Sequence, residues 1–128
     1  MKKNLKILIV EDDEVLLSVL SEKLEKIGFL VVSAMDGEAA MRVIQASHPN
    51  LILLDLLLPK KDGFAVLEEL KSTPTLKTIP VIVLSNLDQD ENLKRAFRLG
   101  VEDYIVKTQH TLNEIVEKVE LQLARKSK

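Results

Sequence analysis

Short runs of apolar residues recur along the chain and are rich in leucine, isoleucine and valine. They occupy residues 6–10, 30–34, 51–55, 81–85 and 103–107. Runs of this length with few polar residues are typical of strands that are buried on both faces of a parallel sheet. The sequence therefore predicts five such strands.

Between these runs, apolar residues recur at the three- and four-residue spacing of an amphipathic helix. The first such segment covers residues 14–28 and ends at Gly28, a residue that favours the end of a helix. One face of this predicted helix carries Leu16, Leu17, Leu20, Leu24 and Ile27.

Four more helices are predicted, one after each later strand. Asp36 is the expected N-cap of the second helix, and Thr111 with Glu114 has the spacing of a capping box at the start of the fifth. The third and fourth helices are expected at residues 63–72 and 91–100.

Five strand–helix units in sequence predict an α/β protein, (βα)5, whose parallel sheet is covered by helices on both faces. Right-handed crossovers restrict the topology, and five strands suit the flavodoxin-like doubly wound order 2-1-3-4-5. In such sheets, ligands bind beyond the carboxyl ends of the strands.

The length of 128 residues and the apolar fraction of 46% indicate one globular domain, residues 1–128, with its core at about 4–125 and a basic C-terminal tail. A formal charge of −2 gives no field that favours nucleic acid or an anionic membrane. The N-terminal apolar run is too short to span a membrane, and the chain lacks cysteine, so a cytoplasmic location is expected.

Polar residues follow the predicted strands. Glu11 and Asp12 end the first strand, Asp55 the third, Ser85 the fourth and Lys107 the fifth. These side chains should converge at one edge of the sheet, where the carboxylates would suit Mg²⁺. Asp55, held near a metal ion and a lysine, would be a good nucleophile toward phosphorus.

Four motifs at these strand ends resemble a known family over the whole chain, the receiver domain of two-component response regulators. They are "LIVEDD", "LILLDLLLPKKDGF", "VIVLSN" and "YIVK", in the order and at spacings close to those of the family. The resemblance implies a signalling regulator that catalyses only its own phosphorylation and dephosphorylation, and is otherwise not an enzyme.

The resemblance also implies roles for individual residues. Asp55 would accept a phosphoryl group from a histidine kinase or a phosphotransfer protein. Asp12 would bind Mg²⁺ directly, or Mn²⁺ as an alternative, Glu11 would hold metal-bound water, and the backbone carbonyl of Leu57 would complete the protein ligands. Lys107 would pair with Asp55 and then with the phosphate.

A switch is implied as well. Ser85 would hydrogen-bond the phosphoryl oxygen, and Tyr104 would turn inward as Ser85 moves. The readout face would then be the fourth helix, fifth strand and fifth helix, which would contact an unidentified downstream protein as a monomer or as a phosphorylation-dependent dimer.

Simpler roles compete at several positions. Asp13 and Glu14 are expected to serve the start of the first helix. Ser85 could cap the fourth helix, but Asp88 with Glu91 already has the spacing of a capping box there. Tyr104 is equally compatible with a purely structural role in the core.

Two further polar residues have no assigned chemistry. His48 and His110 are isolated in loops and are expected to be neither ligands nor catalysts.

Two residues depart from the family pattern. Thr108 replaces the usual proline after the lysine, and a cis bond before a residue other than proline would cost about 3–4 kcal/mol. Asn86 replaces a small residue after Ser85 and is expected to alter the lifetime of the acyl phosphate.

These departures leave an alternative open, a pseudo-receiver whose interactions do not require phosphorylation. A phosphatase of the haloacid dehalogenase type is set aside, because Leu57 stands where that chemistry needs a second acid. Since few residues follow the fifth helix, no output domain and no direct DNA binding are expected.

Overall fold

The structure is a computed structural model that describes residues 4–126. Within this range, strands and helices alternate along the chain. The strands are β1 (Lys6–Val10), β2 (Leu30–Ala34), β3 (Leu51–Leu54), β4 (Val81–Ser85) and β5 (Asp103–Val106). The helices are α1 (Glu14–Ile27), α2 (Gly37–Ser47), α3 (Gly63–Ser72), α4 (Asp90–Arg98) and α5 (Leu112–Lys126).

All neighbouring strands pair in parallel, in the order β2-β1-β3-β4-β5. This confirms the predicted flavodoxin-like topology. The central strands β3 and β4 are buried along their full length, which explains why their sequences show no alternation of polar and apolar residues.

Successive side chains of a strand point to opposite faces of the sheet, and the core is divided accordingly. In β1, Leu8 and Val10 join the apolar cluster under α2, α3 and α4. Ile7 and Ile9 join the cluster under α1 and α5. The prediction of helices on both faces is therefore confirmed.

Helix α1 begins and ends as predicted. The side chain of Asp13 accepts hydrogen bonds from the backbone amides of Val15, at 3.0 Å, and Leu16, at 3.2 Å. Gly28 ends the helix with a positive φ of 119°. Leu20 and Leu24 are fully buried, while the other three predicted apolar positions pack partly exposed against the same cluster.

Aspartate and threonine side chains begin three of the other helices. Asp36 caps α2 through the Ala39 amide at 2.8 Å, and Asp62 caps α3 through the Ala65 amide at 2.9 Å. The capping box predicted for α5 is present, because Thr111 and Glu114 each accept a hydrogen bond from the other's backbone amide.

The capping box predicted for α4 was wrong, although the helix starts within one residue of the predicted position 91. Asp88 does not cap this helix, which begins at Asp90 after Gln89, and Gln89 makes no capping hydrogen bond through its side chain. A cap at Asp88 would require Gln89 to be helical, whereas Gln89 is extended, with φ −77° and ψ 141°.

The loop after β5 forms a short 3-10 helix over Lys107–Gln109. No peptide bond is cis among residues 4–126, so the bond before Thr108 is trans and the usual family proline is replaced without a cis bond.

Over the described range, none of the helices has both the length and the apolar character needed to cross a membrane. The last two residues of the predicted basic tail lie outside that range, and the extent of the domain, 1–128, stays a prediction.

Candidate functional site

Two buried carboxylates lie at the carboxyl edge of the sheet, on adjacent strands. Glu11 follows β1, where its amide donates to the Ala34 carbonyl at 3.0 Å. Asp55 follows β3, where its amide donates to the Val10 carbonyl at 3.0 Å. Glu11 is 1% exposed and Asp55 4% exposed, so the strand ends hold two acids away from water.

Lys107 provides the positive charge between these acids. Its Nζ lies 2.9 Å from Asp55 Oδ2 and 2.7 Å from Glu11 Oε1. The contact with Asp55 has the angles of a hydrogen bond, whereas Glu11 Oε1 has no hydrogen-bond partner within the described part of the chain. One ammonium group therefore neutralises parts of two carboxylates.

Backbone amides fix the other carboxylate oxygens. Glu11 Oε2 accepts from the Asp13 amide at 3.1 Å, and Asp55 Oδ1 accepts from the Leu57 amide at 3.1 Å. Each acid thus has one oxygen oriented by the loop that follows it and one oxygen facing Lys107.

The electrostatics of the site reflect burial and close charges. Burial raises the pKa of Glu11, and the negative charge of Asp55 adds to the increase, although Lys107 and the Asp13 amide oppose it. Burial lowers the pKa of Lys107, but its contacts with the two carboxylates outweigh burial, so its pKa is raised. Lys107 therefore stays charged at neutral pH.

The donor set fits a hard divalent cation. Carboxylate oxygens of Glu11, Asp12 and Asp55 lie within 4.8 Å of one another, and Asp12 is exposed, so water can complete the coordination. The Glu11 carboxylate lies in this cluster and could accept a hydrogen bond from metal-bound water in addition to its contact with Lys107. These residues could hold Mg²⁺, which binds to few carboxylates and keeps several waters.

Ser85 and Tyr104 both hydrogen-bond the backbone of Leu87. The Ser85 hydroxyl accepts from the Leu87 amide at 3.3 Å, and the Tyr104 hydroxyl donates to the Leu87 carbonyl at 2.6 Å. Burial raises the pKa of Tyr104, and the charges of Asp55 and Asp88 raise it further. Tyr104 is thus turned into the core, with its hydroxyl reaching the loop before α4.

The other predicted positions lie around this edge. Asn86 is exposed beside Ser85, and Leu57 has an exposed side chain, so only its backbone is aligned with the acids. His48 ends α2 with a positive φ of 45°, and His110 contacts the Val106 carbonyl. Neither histidine is in the acidic cluster.

Sequence reasoning missed the contact between Lys107 and Glu11, and the role of Leu87. The positions of these residues at strand ends predicted only that they lie at the same edge of the sheet. In the sheet, β1 and β5 are separated by two strands. No motif in the sequence indicates that the Lys107 side chain reaches Glu11 across that distance.

The comparisons with known proteins identify the class to which this fold and site belong. The family model for the response regulator receiver domain matches residues 7–120. The chain belongs to this family of signalling regulators.

Two solved structures are closely similar. The phosphorylated cyanobacterial phytochrome response regulator RcpA is 40% identical, with a TM-score of 0.82 over 94% of this chain and 92% of that one. The Mn²⁺-bound form of the response regulator Rcp1 is 37% identical, with a TM-score of 0.80 over 90% and 91% of the two chains.

A curated relative is the alkaline phosphatase synthesis transcriptional regulatory protein PhoP of Bacillus subtilis. It is 36% identical over 81% of this chain and 42% of its own length. The chain spans less than half the length of the first curated relatives it matches.

Proposed function

We propose that Asp55 is the phosphoacceptor of this receiver domain. The observation that carries the proposal is the Lys107 ammonium group, which lies 2.9 Å from Asp55 inside a cluster of carboxylates. A buried lysine beside a buried aspartate neutralises the acid and is placed to meet the added phosphoryl group.

The donor would be the phosphohistidine of a sensor histidine kinase or of a phosphotransfer protein. An Asp55 carboxylate oxygen attacks phosphorus, the phosphorus–nitrogen bond breaks, and its electron pair returns to the imidazole of the donor. Lys107 then holds the negative charge of the resulting acyl phosphate. Ser85, fully buried at the end of β4, would donate its hydroxyl to a phosphoryl oxygen.

Asp12, Asp55 and the Leu57 carbonyl would bind Mg²⁺, with Glu11 holding metal-bound water. The metal would neutralise charge on the phosphoryl oxygens during transfer. Support comes from the three clustered carboxylates and from the Mn²⁺-bound form of Rcp1, which makes Mn²⁺ a reasonable alternative. Phosphorylation itself is supported by the phosphorylated form of RcpA.

The proposed switch consists of Ser85 and Tyr104. If Ser85 shifts toward a phosphoryl group, its bond with the Leu87 amide must change, and Tyr104 is bonded to the carbonyl of the same residue. The face formed by α4, β5 and α5 would then carry the signal to a downstream protein, with dimerisation upon phosphorylation as one form of output.

The sequence led to the expectation that the protein does not bind DNA directly. PhoP is a transcriptional regulatory protein of more than twice the matched length, so these relatives give no support to the expectation that the protein does not bind DNA. The cytoplasmic location stays a prediction.

The test is a mass measurement. Wild-type protein is incubated with acetyl phosphate, with and without Mg²⁺, next to Asp55→Asn. We expect a gain of one phosphoryl group that needs Mg²⁺ and is absent in the variant. Wild-type protein that gains no phosphoryl group would refute the proposal and favour a pseudo-receiver that acts only through binding.

A further inference from the structure

The loop between β3 and α3, residues 55–62, rests on the first residue of α2. The Gly37 amide donates to the Pro59 carbonyl at 3.4 Å. A side chain at Gly37 would meet the loop directly, because its Cβ would lie 1.8 Å from the Lys61 carbonyl oxygen and 2.6 Å from the carbonyl carbon. Both of these are backbone atoms, so no rotamer change can relieve the contact.

The same loop contains the phosphoacceptor. Asp55 begins it, and the Leu57 amide donates to the Asp55 carboxylate. At its far end, the Gly63 amide donates to the Leu56 carbonyl at 2.9 Å, and a Cβ at Gly63 would lie 2.4 Å from the Asp55 carbonyl oxygen. The loop is therefore held at close range by two glycines, one from α2 and one from α3.

If a methyl group were added at Gly37, the loop would move rather than the helix. The start of α2 is fixed by the Asp36 cap, and Ala40 and Ile44 are fully buried in the core. By contrast, Leu57 and Pro59 are exposed on the loop. Restoring ordinary contact distance requires roughly 1 Å of displacement or more at Lys61.

The loop has little freedom to absorb this displacement locally. Lys60 has a positive φ of 67°, and the Lys61 amide donates to the Pro59 carbonyl at 2.8 Å across it. This is a tight three-residue turn in a conformation that is unfavourable for lysine. Displacement at Lys61 is therefore passed upstream toward Leu57.

We infer that Gly37 is a positioning residue for the metal and phosphoryl site, although it belongs to a helix that contributes no ligand. The inference rests on the proposed function, because it concerns the carbonyl of Leu57 and the carboxylate of Asp55. Residues that orient metal ligands commonly change metal affinity by about 10- to 100-fold when they are altered.

The test compares Gly37→Ala with Ala40→Gly. Alanine is a better helix former than glycine, so Gly37→Ala does not weaken α2 through propensity. Ala40→Gly weakens the same helix one turn later but leaves the contact with the loop intact. Mg²⁺ affinity is measured by calorimetric titration with MgCl₂, and fold stability by urea unfolding in EDTA.

We expect Gly37→Ala to bind Mg²⁺ about tenfold more weakly than wild type. Ala40→Gly should lower the urea midpoint and keep the wild-type Mg²⁺ affinity. Equal affinity for Gly37→Ala and wild type would overturn the inference, as would a loss in Ala40→Gly of the same size.

If Gly37→Ala does not fold, Pro59→Gly tests whether the contact between Gly37 and the loop positions the metal site. It retains the carbonyl that Gly37 contacts but loosens the exposed loop, so a severalfold loss of Mg²⁺ affinity is expected. Wild-type affinity in this variant would overturn the inference. Wild-type protein that binds no Mg²⁺ would instead refute the proposed metal site, and the inference with it.

Discussion

Replacing Lys107 by alanine should destabilise the metal-free protein strongly. The lysine side chain is 17% exposed, and it is the cation in contact with both Asp55 and Glu11. Removing one partner of a buried ion pair costs about 3–5 kcal/mol, because the remaining charges stay buried without compensation. Water reaches the lysine end of this site, so we expect about 2–4 kcal/mol here.

The loss should depend on pH, because Glu11 is already hard to ionise. Lys107 lowers the pKa of Glu11, so the variant should raise it further above the ordinary value of 4.5. A folded state that binds a proton more tightly than the unfolded state is stabilised at low pH, and this stabilisation is lost as pH rises through the folded pKa. The destabilisation should therefore be smaller at pH 5 than at pH 8.

The assay is urea unfolding followed by far-ultraviolet circular dichroism, since the chain has no tryptophan. Each variant is measured in EDTA and in excess Mg²⁺, where the cation should take over part of the neutralisation and reduce the loss. Lys118→Ala is the matched control, because Lys118 pairs with Asp103 at 3.3 Å in a much more exposed setting. Such a pair contributes about 0.2–1 kcal/mol.

Three results would contradict this reasoning. The first is a loss of stability in Lys107→Ala no larger than in Lys118→Ala. The second is an equal loss at both pH values, and the third is a loss that Mg²⁺ leaves unchanged. The first would mean that water screens the site, the second that Glu11 does not titrate as described, and the third that no cation binds between the acids.

Three other outcomes are expected. Gly63→Ala should lower the free energy of unfolding by about 1–3 kcal/mol and slow phosphorylation by acetyl phosphate, because the added Cβ would overlap the Asp55 backbone. An unchanged stability and rate would contradict the close packing of Gly63 against Asp55. The only tyrosine, Tyr104, should titrate by ultraviolet absorbance with a midpoint above 10.0, and Asp55→Asn should lower that midpoint. Asn86→Ala should change the decay rate of the acyl phosphate. Equal rates for wild type and variant would show that Asn86 does not affect its lifetime.

The strands could be predicted almost to the residue, because their signal is local. Three of the five predicted strands have the observed bounds, and β3 and β5 each end one residue earlier than predicted, at Leu54 and Val106. A buried parallel strand must be apolar on both faces, so composition alone marks it. The handedness of crossovers left few possible strand orders, and the flavodoxin-like order that suits five strands is the one observed.

The cap of α4 could not be predicted in this way. Asp88 with Glu91 has the spacing of a capping box, yet the Tyr104 hydroxyl and the Ser85 hydroxyl hold Leu87 in a non-helical loop. Gln89 is extended rather than helical, so the helix begins one residue too late for Asp88 to cap it. The contact of Gly37 with the loop between β3 and α3 was also missed, because a glycine in the sequence gives no sign of which distant residue packs against it.

Helix α4 differs from the other helices in how it is held. Ala96 is its one buried residue in the described chain, and its N-terminus has no side-chain cap. Such a helix has little cooperative stability of its own, and its amides should exchange with solvent ahead of those in α2 or α3. A single hydrogen bond, worth about 1 kcal/mol, changes the ratio of two conformations about fivefold. If the proposed switch operates, a change at the two bonds to Leu87 would be large enough to redistribute the population of α4.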